Sequence, residues 1–186
     1  MALLESLDRF VRDYQTLQEP LGWPCLPWES EWLSPCLMRE ADEGVEVPWR
    51  PVANESGTDM FERLAEALDT PIHPDLALYY SRYWSDPIYA QHADGELSLL
   101  FAWNPQEFER LRANLIGHAL TKRRMRQPLT LFFACTEPDA EEFISLMNND
   151  GTVWLEAPGK APLRKLADSL EEFLDSIKPL PHPSTR

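Results

Sequence analysis

Glycine is scarce in this chain. Seven glycines stand against seventeen prolines in 186 residues. That balance argues against a glycine-rich loop cradling phosphate and favours stiff irregular segments over flexible linkers. Cysteine is scarce as well: Cys25, Cys36 and Cys135 are widely spaced and form no CxxC pair. An odd, scattered set speaks against a disulfide framework and for a reducing compartment. The four histidines, His73, His92, His118 and His182, include no pair at ligand spacing, and HExxH and GxSxG are absent. No apolar run approaches the ~20 residues needed to cross a bilayer. The start, MALLESLDRFVRDYQ, lacks the basic segment that opens a secretory leader, so a cytosolic protein is expected.

Lysine is missing until Lys122. The formal net charge is -14, and it is unevenly placed. Residues 1–104 hold 19 acids and 6 bases, residues 105–128 hold 2 acids and 6 bases, and residues 129–186 hold 10 acids and 5 bases. Lys122, Arg123, Arg124 and Arg126 form a basic island within five positions. So acidic an N-terminal part disfavours nucleic acid and anionic lipid and attracts a cationic partner. The plain alternative is a solvated surface that keeps the protein soluble.

Periodicity supplies the elements. Leu3, Leu4, Leu7, Phe10, Val11, Tyr14 and Leu17 recur at helical spacing, giving an amphipathic helix that ends before Pro20. Residues 20–51 mix prolines with Trp23, Trp28, Trp32 and Trp49. Long regular elements do not survive that proline density, and the tryptophans favour a self-packed loop apron over a proline-rich ligand. Short strands are expected near 36–38 and 45–49. Helices follow over 59–68 and from Pro74, the second carrying Tyr80 and Trp84 four apart on one face. Asp94-Gly95 marks a hairpin whose second strand, Glu96 to Trp103, is covered on both sides. Asn104, Pro105 and Glu107 read as N-cap, first and third positions of a long helix to about Met125. The basic island then sits at the negative end of that helix's dipole. Strands follow at 130–134, 143–147 and 152–156. A last helix is expected over 162–177, and then a loose tail. The order predicts a single α+β domain with a mostly antiparallel sheet flanked by helices.

Catalytic constellations are not found. His118 as a base for Cys36 or Cys135 lacks an activating motif, and a packed, hydrogen-bonded histidine is the simpler reading. Cys25, Cys36 and His118 have no metal-ligand spacing, so neither a metal nor a cofactor is expected. Gly117 inside the helix costs roughly 1 kcal/mol against alanine, which suggests close packing on another backbone.

Several stretches resemble the Syd family of SecY-interacting proteins. They are SPC at 34–36 with Trp49 and Pro51, the Pro74–Tyr80 segment, LSLLFAW, and above all NLIGH at 114–118 followed by TKRRMRQP and TLFFA. The resemblance covers residues 1–180 as one domain and leaves 181–186 as a loose tail. It implies no enzyme. It implies a monomeric cytoplasmic protein, peripheral on the inner membrane, whose acidic concave surface meets basic cytosolic loops of SecY. Such a protein monitors or negatively regulates improperly assembled translocase. Basic loops fit the positive-inside rule. The expected partner-binding residues are Asp59, Glu62, Asp75, Asp86, Asp94 and Glu96, with Tyr80 and Trp84 as aromatic anchors; the plain alternative is that the acids are ordinary surface and the two aromatics core. Lys122, Arg123, Arg124 and Arg126 are expected to cap their own helix, to touch lipid headgroups or to pair with the protein's own acids. The alternative is an acidic immunity-type inhibitor of a basic toxin or nuclease.

Overall fold

The computed structural model describes residues 2–186. The first amphipathic stretch forms α1 (Ala2–Gln18), with its apolar face buried. In the apron, β1 (Cys25–Pro27) pairs with β2 (Glu46–Pro48). The strand expected near 36–38 shrinks to one bridge, Leu37 to Trp49. Proline density explains this, because each proline removes a ladder donor. Trp49 is buried, edge-on to Trp103 at 5.8 Å.

β3 (Val52–Ala53) leads to α2 (Met60–Leu68) and α3 (Pro74–Arg82). α3 stops two residues before Trp84, which lies in β4 (Tyr83–Trp84), paired with β3. Tyr80 and Trp84 therefore do not share a helix face. The first hairpin is β5 (Ile88–His92) and β6 (Gly95–Leu99). β6 ends at Leu99, short of the expected Trp103. The hydroxyls of Tyr79 and Tyr80 donate to the carbonyls of Leu100 and Phe132, each at 2.8 Å, where the chain leaves regular pairing.

α4 (Pro105–Arg124) starts as its cap residues require, with Asn104 accepting from the Glu107 amide at 2.9 Å. β7 (Thr130–Thr136), β8 (Phe143–Met147) and β9 (Val153–Glu156) continue the sheet. The expected helix over 162–177 is then corrected. Its first part is an edge strand, β10 (Arg164–Ala167), and the helix is the short α5 (Leu170–Asp175). A capping box sets that start: Ser169 accepts from the Glu172 amide at 3.0 Å, and Glu172 accepts from the Asp168 amide at 2.8 Å.

The tail is not loose. β11 (Lys178–Pro179) adds to β5, and the Pro183–Thr185 turn follows. His182 sits edge-on to Trp49 and Tyr89, and Arg186 pairs with Glu96.

The result is a curled seven-stranded antiparallel sheet in the order β10-β9-β8-β7-β6-β5-β11, an α+β fold as the element order predicts. Residues opposite one another across the ladder share a face. Ile88, Leu99, Ala134 and Ile144 build the buried face. Tyr89, Ser98, Cys135, Phe143 and Glu156 form a row on the other. α4 packs on the Phe143–Glu156 end of that row, with His118 edge-on to Phe132 and Phe143.

Candidate functional site

The N-terminal end of α4 meets the link between β4 and β5. Trp84 bridges to Ala102, and the Ser85 amide donates to the Ala102 carbonyl at 3.0 Å. The apron is stapled to the same place. Ser34 donates its hydroxyl to the Trp103 carbonyl at 2.6 Å, and Asn104 donates to the Leu33 carbonyl at 3.1 Å. These ties enclose a cleft of about 280 Å³ lined by Asp86, Glu107, Glu29, Trp32, Leu37 and Trp103.

No ion pair among the described residues closes on the acids of this cleft. Among the described residues, neither Asp86 nor Glu107 has a base at ion-pair distance. Burial, aided by the charge of Glu107, pushes the Asp86 carboxyl up to about 6. Burial also raises Glu107, against the Trp103 amide, which donates to it at 3.3 Å, and the nearby Arg110. Arg110 itself lies over the Trp32 ring at 4.3 Å, so the rim already holds one cation on an aromatic face. A guanidinium or ammonium group entering here relieves two desolvated carboxylates. The cleft therefore selects a cationic side chain by charge and an aliphatic stem by its walls.

Of the acids expected to bind a partner, Asp86 alone lines this cleft. Asp94 pairs with Arg164 at 2.9 Å and Glu96 with Arg186 at 3.2 Å, both beside a second cavity at the β5–β6 end of the sheet. Asp59 lies 3.9 Å from Arg63, Glu62 is exposed on α2, and Asp75 stands in the first turn of α3. The fold does not gather these six. Tyr80 and Trp84 are 0% and 6% exposed, so both belong to the core and present no anchor in this conformation. Glu29, Glu107, Trp32 and Trp103 were missed. Glu107 reads as a capping residue, and it fills that role and faces the cleft as well. The legible signal was Asp86 itself, an acid set with Ser85 and Pro87 between the apolar Trp84 and Ile88.

The basic island divides. Lys122 turns inward and forms an ion pair with Glu156, the two being 4% and 0% exposed. Glu156 also accepts from Thr130 at 2.7 Å, and Thr130 shares a 3.0 Å hydrogen bond with His118. Desolvation holds His118 below its ordinary value, with Glu156 opposing. His118 is thus a packed network residue, and among the described residues no His, Cys, Asp or Glu cluster offers a metal site. Arg123 donates to the Leu68 carbonyl at 2.9 Å, so it caps α2 and not its own helix. Arg124 and Arg126 are exposed. Gly117 is not pressed against a backbone. A Cβ there would meet nothing, because the residue lies at an open cleft mouth.

A family profile described as "Syd protein (SUKH-2)" matches residues 4–179. The chain is 42% identical over 178 residues to Protein Syd of Pseudoalteromonas atlantica, covering 94% of this chain and 95% of that one. It is 41% identical over 185 residues to Protein Syd of Colwellia psychrerythraea, covering 94% and 92%. It is 39% identical over 181 residues to Protein Syd of Alteromonas mediterranea, covering 97% and 98%.

Proposed function

We propose, because the chain belongs to the Syd family, that it docks on basic cytosolic loops of the SecY channel through the Asp86–Glu107 cleft. The observation that carries this reading is the pair of half-buried carboxylates without a bonded cation. A lysine or arginine from a loop enters the cleft, and its stem packs on Trp32 and Trp103. Cytosolic loops of membrane proteins are rich in such residues. The remaining acids add long-range attraction that speeds encounter and fades with salt. No helix among the described residues is long and apolar enough to cross a membrane. The protein reaches the membrane from the cytoplasm as a peripheral monomer and carries no catalytic step. It monitors or restrains improperly assembled translocase.

Co-sedimentation with inverted inner-membrane vesicles tests this. Pelleting is expected to require overproduced SecY and to fall across a salt series. Equal pelleting on SecY-poor vesicles, or none on either, would overturn the reading.

A further inference from the structure

At the C-terminal end of α4, opposite the acidic cleft, lies a second surface of another character. Leu120 and Met125 are 45% and 38% exposed. Arg124, four residues after Leu120, lies on the same exposed helix face. Arg126 takes a left-handed conformation, φ 55°, and turns the chain just past the helix. Met125 and Lys160 line one cleft, and no acid lines it. Arg9, Arg63, Arg82, Arg112, Arg164 and Arg186 each pair with a carboxylate. Among the described residues, Arg124, Arg126 and Lys160 have no such partner, nor do Arg12, Arg39, Arg50, Arg110, Arg123 and Lys178; what sets the three apart is their place beside Leu120 and Met125.

We infer that this surface rests on the anionic face of a lipid bilayer. The three free cations sit among headgroup phosphates, and Leu120 and Met125 enter the acyl boundary. Interleaved cations and flexible apolar side chains are the composition of an interfacial contact. A nucleic-acid site of this size would instead call for exposed aromatic stacking platforms, and the cleft's rings, His118 and Phe143, are half-buried and packed edge-on to one another. Orientation follows from the helix. A 20-residue α4 separates its ends by about 30 Å, so the acidic cleft stands away from the lipid when the basic end touches it. The acidic remainder opposes binding, so the contact is weak alone and adds to any protein contact beside it.

The test is flotation of the purified full-length chain with protein-free vesicles, either phosphatidylcholine alone or phosphatidylcholine mixed with phosphatidylglycerol. Binding is expected on the anionic vesicles only, at low salt. Arg124→Glu with Arg126→Glu should weaken it by about fivefold or more per cation lost. Leu120→Ser with Met125→Ser should lower binding while leaving its salt dependence in place. These positions are exposed, and circular dichroism of each variant checks the fold. Absence of flotation on anionic vesicles, or flotation unchanged by the arginine reversals, would overturn the inference. So would retention on single-stranded RNA without any vesicle binding. Since the vesicles hold no protein, failure here leaves SecY docking untouched.

Discussion

The two ends of α4 carry opposite charges, and the fold handles them in opposite ways. At the N-terminal end, acids far apart in sequence converge and stay unpaired: Asp86 arrives from the β4–β5 link and Glu107 from the helix itself. At the C-terminal end, four cations adjacent in sequence are dispersed. Lys122 goes to the buried Glu156, Arg123 to the end of α2, and Arg124 and Arg126 to solvent. Counting charges along a chain thus says little about where free charge lies. What matters is where the fold buries or pairs a charge: at one end of α4 it half-buries two acids without an ion pair, and at the other it leaves Arg124 and Arg126 in solvent.

The contrast breaks most severely at Lys122. Lys122→Met strands Glu156 as an uncompensated buried charge, and a loss of about 3–5 kcal/mol is expected in urea unfolding. Replacing both members, Lys122→Met with Glu156→Leu, should recover much of that loss. If the single change leaves the midpoint unmoved, the inward cation has no structural task.

Asp86 should respond in the other direction. Its folded value, about 6, lies above its ordinary 3.8. Ionisation therefore favours the unfolded chain, and stability falls as pH rises from about 4 to about 6, with the full deficit above that window. The deficit is roughly 3 kcal/mol when the cleft is empty. Asp86→Asn is expected to raise the melting temperature at pH 7.5 and to change it little at pH 4. Partner binding has the opposite pH dependence, because a protonated Asp86 cannot pair with a cation. Affinity for a basic loop peptide should decline below about pH 6. A melting gain equal at both pH values would remove the claim that Asp86 is held desolvated and unpaired.

The smallest effects separate the arginines. Arg123→Ala loses the bond to the Leu68 carbonyl and should cost about 1 kcal/mol. Arg124→Ala, with no such bond, should stay within about 0.5 kcal/mol. Equal losses would mean that the island acts as a unit.

The fold was legible where a local rule had one reading. Asn104-Pro105 began a helix, Asp94-Gly95 and the 148–151 turn closed hairpins, and Leu3 to Tyr14 made an amphipathic face. It was not legible where two periods compete. Leu166, Leu170 and Phe173 fit a helical stripe, but Leu166 belongs to an edge strand, and the Ser169–Glu172 capping box was the deciding signal. Tyr80 and Trp84 illustrate the limit for the site. Aromatic residues suit interfaces and cores alike, and only tertiary packing separates the two uses. Asp86 was legible as an acid, but its convergence with Glu107 depends on the Trp84–Ala102 bridge, which no spacing encodes. Gly117 invited a packing explanation, whereas the structure places it at an open mouth.

The most direct measurement compares wild type with the Asp86→Asn, Glu107→Gln pair for binding to inverted inner-membrane vesicles carrying overproduced SecY. Both substitutions keep shape and remove charge, and Gln retains the capping acceptor. The wild-type chain is expected to pellet with these vesicles and the double variant to remain in the supernatant, its melting temperature undiminished. Equal pelleting of the two chains would contradict docking through this cleft.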